Sequence, residues 1–367
     1  MEDAMISTEW IYAIVSVLCA ALLAFSSTPA VRVLAFKINA IDRAKDGRRM
    51  HKEPIPRIGG LAMFFGFFVS TLVFCDITRD LVAVWTGGFV LVLLGIVDDI
   101  YSLKPWMKAI VQFAVAFIPI SQGIQISFLH LFGKTVLLGG WSIPVTVLWI
   151  VFVTNAVNLI DGLDGLACGV STICAISLTV VMLLGGNAYY ALLTAILAGS
   201  CAGFLPFNSN PAKIIMGDTG ALFLGYTLSV LSVGGVFKMD AVLAFLIPLA
   251  IFGLPLFDTV FAIVRRVAHG KSPFAADRGH LHHRLIDMGF GHKQSVRILY
   301  SISGTLGIAA VLLMESSFVP AICLVTAALG LYIALYFIMK NSELRKLTGL
   351  ENIDPHPDDI QSPDDGK

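Results

Sequence analysis

Asn155, Asn158, Asp161 and Asp164 recur at every third position where the uncharged run 135–160 ends. If the run stays helical, the two carboxylates fall on one face. Gly162 and Gly165 leave their flanks free of side chains, so a bulky ligand can reach the backbone. The ordinary alternative is a helix end with an N-cap Asp and a Gly-rich turn. Two Asn and two Asp at the edge of an apolar segment favour function, because such groups are expensive near lipid.

Three further stretches carry groups of the same kind. Asp98 and Asp99 directly follow an apolar run and precede Lys104 and Lys108. Adjacent carboxylates repel unless a cation lies nearby or one proton is shared; a solvated loop is the alternative. Asp218, ten residues after Asn208, opens another apolar run beside Thr219 and Gly220. It is either an N-cap or a metal ligand at a helix start, where free N–H groups also favour phosphate. A Gly-x-Gly-Asp intramembrane protease would need glycine at position 215, which is Ile215. Finally, His280, His282 and His283 lie between Arg278 and Arg284. No Cys is close, and the arginines would repel a cation, so neutral histidines with arginine suit phosphate better than zinc. The loop holding Arg49, His51, Arg57, Gly59 and Gly60 reads equally as a headgroup-binding basic patch or a phosphate-handling loop. Asp258 reads as a structural partner for Arg265 and Arg266.

The elements that position these groups are apolar. Of 367 residues, 57% are hydrophobic and 14% charged, and mean hydropathy is +0.83. That composition describes a polytopic membrane protein, not a soluble domain. Charge-free windows cover 10–31, 58–75, 81–97, 109–133, 135–160, 165–212, 219–237, 241–257, 298–314 and 316–339. A crossing helix needs about 20 residues, so 165–212 must hold two, broken at Gly185-Gly186-Asn187. The expectation is an all-α fold with about eleven transmembrane helices. Its acidic start lacks the basic residues of a cleaved signal, so the first span is expected to be retained. With the N-terminus outside, all but three of the 25 basic residues face the cytoplasm, the exceptions being Arg79, Lys134 and Lys238. The positive-inside rule therefore places the C-terminus in the cytoplasm. Residues 1–340 form the expected integral membrane catalytic domain, and 341–367 an acidic, Pro-rich, disordered tail. An outside segment near 123–142 can form a small hairpin. The six scattered cysteines read as packing residues.

Under this topology Asp98, Asp99, Asp161, Asp164, Asp218 and the histidines all lie on the cytoplasmic side of the cell membrane. A transporter would more often place its acids near the midplane. Acids at the interface suit a reaction between a water-soluble partner and a lipid. Carboxylates and Asn are oxygen ligands suited to Mg²⁺, which neutralises a diphosphate for attack by a second anion.

From Asp42 to Arg284 the chain resembles the polyprenyl-phosphate N-acetylhexosamine-1-phosphate transferases of bacterial cell-envelope synthesis. The resemblance rests on Arg57 to Gly60, Asp98-Asp99, Asn155 to Gly165, Asn208 to Gly220, and His280 to His283. It implies transfer of a sugar-1-phosphate from a UDP-sugar to undecaprenyl phosphate with release of UMP, feeding envelope polysaccharide or teichoic acid. It implies Mg²⁺, with Mn²⁺ as an alternative, held by Asp218 and Asp161. Asp98, Asp99, Lys108, Asp161, Asp164, His282 and His283 take catalytic positions by resemblance. Arg49, His51, Arg57, Asn155, Asn158, Asn208, Arg278 and His280 take substrate-binding ones. Asp98 matches a position assigned to deprotonate the lipid phosphate. Yet a phosphate monoester has a second pKa of about 6, so holding Mg²⁺ or Lys108 is an equally good task. Direct attack and a covalent aspartyl-phosphate both stay open. Asp277-Arg278-Gly279-His280-Leu281-His282-His283 resembles the branch using UDP-N-acetylglucosamine rather than the muramoyl-pentapeptide donor. Membrane lipid is the surrounding partner, nucleic acid has no place, and a homodimer stays open. A CDP-alcohol phosphatidyltransferase would need Ala-Arg soon after Asp-Gly, and Ala167 precedes Cys168.

Overall fold

The computed structural model describes residues 2–42, 54–131, 134–237, 245–270, 272, 279–315, 317 and 319–331. Arg49, His51, Arg278 and the tail 341–367 lie outside them. The described residues fold into helices α1 (Glu2–Lys37), α2 (Gly60–Phe74), α3 (Arg79–Tyr101), α4 (Pro105–Ser121), α5 (Ser142–Leu159), α6 (Leu166–Leu184), α7 (Ala188–Asn208), α8 (Gly217–Gly235), α9 (Leu246–Ile251), α10 (Gly253–Ala268), α11 (Leu281–Asp287) and α12 (His292–Met314). A further helix, α13, covers Val319–Leu331. Strands β1 (Ile41–Asp42) and β2 (Ile55–Pro56) pair antiparallel, as do β3 (Phe128–Leu131) and β4 (Lys134–Leu137). The second pair is the hairpin expected near 123–142.

The protein is a multi-pass membrane protein. By length and composition six helices can cross a bilayer, namely α1, α3, α5 with the turn before it, α6, α7 and α12. The shorter apolar helices α2, α4 and α13 accompany them. The window 165–212 divides at Gly185–Asn187, where Gly186 takes φ +73°. One window behaves differently. The described part of 241–257, from residue 245 on, holds the junction between α9 and α10 at Phe252. Pro248, Gly253 and Pro255 surround that junction, and proline removes helix hydrogen bonds.

The bundle is built around α8, which is buried from Thr219 to Gly235. Lipid is as apolar as leucine, so helices in a membrane associate through small residues that let backbones approach. Gly199 and Gly203, four apart on α7, lie against the α1 backbone at Val17 and Ala21. Gly60 on α2 meets the backbone of Gly220, and Gly95 on α3 meets that of Thr219. Polar side chains join the same helices: Trp149 Nε1 donates to Ser232 Oγ (3.1 Å), and the Tyr226 hydroxyl donates to the Ala83 carbonyl (3.0 Å).

The Gly95 approach sets the distance between the ends of α3 and α8, where Asp98 and Asp218 stand. Gly95→Ala places a methyl on the Thr219 backbone, which must move. Overpacking of this kind costs about 1–3 kcal/mol. A lower melting temperature in detergent and reduced turnover are the expected results. Gly304→Ala on α12, where an added methyl meets nothing, should change neither. Equal behaviour of the two variants would contradict the packing.

Candidate active site

Two acids end α3 and each receives its own cation. Asp98 Oδ1 accepts from the Leu103 amide at 2.6 Å, closing the chain around Ser102, whose φ is +53°. Its Oδ2 takes Lys108 Nζ at 2.8 Å. Pro105 starts α4 and brings Lys108 back over the end of α3. The same Nζ lies 2.6 Å from Asp218 Oδ2, so one ammonium joins α3, α4 and α8.

Asp99 faces the other way. Its Oδ1 accepts from the Asp218 amide (3.1 Å), and its Oδ2 accepts from the Thr219 amide (3.1 Å) and hydroxyl (2.7 Å). It is the N-terminal cap of α8, supplied by another helix, and negative charge is favourable there. Arg57 Nε stands 3.6 Å from Asp99 Oδ1. The repulsion between neighbouring acids is thus relieved by two separate cations. Asp99, expected to be catalytic, has both its oxygens committed to the start of α8. Arg57 arrives because the Ile215 amide donates to Pro56 O (2.8 Å) while Gly59 and Gly60 donate to Ile215 O and Met216 O (3.0 and 2.9 Å). Gly217 allows this seam: its φ is +70° and a side chain would strike the Arg57 carbonyl.

The Asn and Asp loop follows α5. Burial, then the charge of Asp218, pushes Asp161 up to about 7, opposed by Arg57. Asp99 and Asp164 add smaller repulsions, so Asp161 belongs to the same cluster. Asp164 Oδ2 accepts from Asn210 Nδ2 (3.0 Å) and the Ala212 amide (3.1 Å), holding the loop between α7 and α8. Asn155, expected to bind substrate, donates to Gln112 Oε1 (2.6 Å) and Val151 O (2.8 Å). It ties α5 to α4. Among the described residues the buried Asn158 Nδ2 and Asn208 Oδ1 have no hydrogen-bond partner, while Asn208 Nδ2 donates to Ile214 O (3.1 Å).

The histidines approach from α11. The ring of His282 lies where a side chain on Gly162 would be. It stacks on His280 at 5.9 Å and 9°, and tilts against His283 at 4.2 Å. Among the described residues neither His282 nitrogen, both buried, has a hydrogen-bond partner. Burial, then the neighbouring His283, pushes its pKa down to about 3, so the ring is neutral at pH 7. An unmade buried hydrogen bond costs about 1–3 kcal/mol. The neutral imidazole beside the Asn and Asp loop thus keeps two nitrogens able to meet a ligand. His280 is used differently: its Nδ1 is 2.9 Å from Asp258 Oδ2, and the Leu281 amide donates to Asp258 Oδ1 at 2.9 Å. Asp258 was expected to serve Arg265 and Arg266; its carboxylate serves His280 and the start of α11.

Sequence reasoning missed two supports. Gln112 is a polar residue inside an apolar window, and that signal was available. Tyr300 on α12 donates its hydroxyl to the Gly165 carbonyl at 2.6 Å and gave no signal, because its partner lies 135 positions away. Among the described residues no three His, Cys, Asp or Glu side chains surround one ion position. Asp161 and Asp218 offer two carboxylates that lie within electrostatic reach of each other. Mg²⁺ uses one or two carboxylates and completes its shell with water and substrate phosphate, so this donor set fits it. A cation between them would also relieve the repulsion that Asp218 exerts on Asp161.

The site therefore joins carboxylates, a lysine, an arginine, unsatisfied amides and a neutral histidine at one end of an apolar bundle. The chain matches the description "Glycosyl transferase family 4" over residues 81–236. A Bacillus subtilis (strain 168) protein named "Probable undecaprenyl-phosphate N-acetylglucosaminyl 1-phosphate transferase" is 38% identical over 351 residues, 95% of each chain. A Mycolicibacterium smegmatis protein named decaprenyl-phosphate N-acetylglucosaminephosphotransferase is 35% identical over 325 residues, 80% of each. An Escherichia coli (strain K12) undecaprenyl-phosphate alpha-N-acetylglucosaminyl 1-phosphate transferase is 28% identical over 301 residues, 79% of this chain and 80% of its own. On the strength of the Bacillus match along nearly its whole length, the chain belongs to glycosyl transferase family 4.

Proposed function

We propose that the protein transfers N-acetylglucosamine 1-phosphate from UDP-N-acetylglucosamine to undecaprenyl phosphate. A phosphate oxygen of the lipid attacks the sugar-bearing phosphorus of the donor. The bond from that phosphorus to the bridging oxygen breaks, UMP leaves with the electron pair, and undecaprenyl-diphospho-N-acetylglucosamine remains. The observation that carries the reading is the Asp98–Lys108–Asp218 bridge at the same end of the bundle as the unsatisfied His282. The names of the Bacillus and Escherichia relatives carry the same lipid and sugar, and the Mycolicibacterium name carries the same sugar with decaprenyl phosphate.

Each side chain has a task in this reaction. Lys108, held between two carboxylates, places positive charge where phosphates meet. Asp218 and Asp161 would hold Mg²⁺. That ion would neutralise the donor diphosphate, lowering its repulsion toward the lipid phosphate. His282, neutral, donates a hydrogen bond to a phosphate or sugar oxygen without adding charge. Asn158 and Asn208 offer a donor and an acceptor to the nucleotide side. The lipid phosphate is mostly dianionic at pH 7, its second pKa being about 6. Asp98, already bonded to Lys108 and the Leu103 amide, is therefore a holder of Lys108 rather than a general base.

The eleven-span reading puts this site on the cytoplasmic face, where UDP-sugars are made. In a protein lacking the exposed Cys323, Lys213→Cys should resist an impermeant thiol reagent added outside intact cells, and Gly140→Cys should react. The reverse pattern would overturn the orientation. The function itself is tested by UMP release from UDP-N-acetylglucosamine with undecaprenyl phosphate and purified protein. Turnover needing both substrates supports the reading, and its absence contradicts it.

A further inference from the structure

Asp258 lies on α10, outside the acid cluster, with both oxygens used. It and His280 are almost fully buried, at 4% and 5% exposure. Oδ2 is 2.9 Å from His280 Nδ1, and Oδ1 accepts from the Leu281 amide at 2.9 Å. A carboxylate can only accept here, so the network puts the ring proton on Nδ1. Arg265, two turns along the same face of α10, covers the backbone of Gly279, where a side chain would strike its guanidinium. Residues seven apart share a helix face, and this face carries the start of α11. His282 follows His280 by two positions, stacks on it, and fills the space above Gly162. Among the described residues nothing hydrogen-bonds to the ring nitrogens of His282. Its seat thus depends on packing and on the anchoring of α11.

We propose that Asp258 is a positioning residue for the donor side of the site. It fixes His280 through Nδ1, anchors α11 through the Leu281 amide, and so holds His282 against the Asn and Asp loop. The proposal rests on the transferase reading above only for its kinetic consequence; the placement of His282 stands apart from it.

The test uses the full-length purified protein as wild type, Asp258→Ala and Asp258→Asn. Diethyl pyrocarbonate acylates accessible, neutral imidazole nitrogens, and tandem mass spectrometry locates the adduct. Wild-type His282 should be protected relative to exposed His269. In Asp258→Ala its modification should rise about 10-fold or more. In Asp258→Asn the amide oxygen still accepts from Leu281, and its N–H₂ donates to His280 Nδ1, moving the ring proton to Nε2. His282 should then stay largely protected. In turnover, Asp258→Ala should raise KM for UDP-N-acetylglucosamine about 10-fold and leave KM for undecaprenyl phosphate unchanged. Asp258→Asn should raise the donor KM by a smaller factor. A purely structural role would lower the amount of active enzyme and leave both KM values alone. Continued protection of His282 in Asp258→Ala, or lost turnover with both KM values unchanged, overturns the proposal. If the alanine variant fails to fold, Asp258→Asn decides: an unchanged donor KM overturns it. A wild-type protein without turnover would refute the transferase reading, and the labelling comparison would still decide the role of Asp258.

Discussion

Asp218→Asn is expected to lower turnover by about 10³-fold, the scale of losing a key electrostatic group in a catalytic site, while the protein folds normally. The carboxylate does two things at once. It holds Lys108 Nζ at 2.6 Å, and it is one of the two acids proposed to hold Mg²⁺. An amide of the same shape does neither well, because it brings no negative charge. The fold should survive because α8 is capped by Asp99, not by Asp218. Lipid-linked product measured over a range of Mg²⁺ separates the possibilities. Chelation should silence the wild type, and added Mg²⁺ should restore it without restoring the variant. Near-normal turnover of Asp218→Asn at ordinary Mg²⁺ would reduce Asp218 to a structural acid.

Lys108→Met should be almost as damaging, with a loss of about 10²–10³-fold. Its ammonium lies 2.8 Å from Asp98 and 2.6 Å from Asp218. Removing it leaves two carboxylates facing each other and takes positive charge from the place where two phosphates must meet. Breaking a paired buried charge is costly because the partner stays behind uncompensated. Asp98→Asn added to Lys108→Met should therefore lose little further, since the two residues act as one unit. Initial rates and melting temperatures of both single variants and the double variant test this. Full multiplication of the two rate losses would show that Asp98 acts apart from Lys108, as a general base would.

The site was legible because its polar residues stand at the ends of apolar runs. Asp98, Asp161, Asp164 and Asp218 all follow or open such a run, and the structure gathers them at one end of the bundle. What each one does was less legible. Asp99 looks like Asp98 in the sequence, yet one caps α8 and the other holds Lys108. Only the crossing of α3 and α8 at Gly95 decides which acid meets which partner. Asn155 and Asn158 share a motif, yet Gln112 consumes the first and the second is unsatisfied. Asp258 was assigned to its nearest basic neighbours along the helix, while its carboxylate serves a histidine 22 positions later. In the fold, the division of 165–212 was readable from Gly185, Gly186 and Asn187. The break at Phe252 has its own signal in Pro248, Gly253 and Pro255, hidden inside an uncharged window of span length.

The central claim is that this cluster transfers N-acetylglucosamine 1-phosphate to a polyprenyl phosphate. It is tested most directly by giving purified protein undecaprenyl phosphate, Mg²⁺ and one of two donors at equal concentration. The donors are UDP-N-acetylglucosamine and UDP-N-acetylmuramoyl-pentapeptide; UMP and the lipid product are measured together. The account predicts stoichiometric UMP and undecaprenyl-diphospho-N-acetylglucosamine from the first donor and neither product from the second. Preference for the pentapeptide donor, or no UMP from UDP-N-acetylglucosamine, would contradict it.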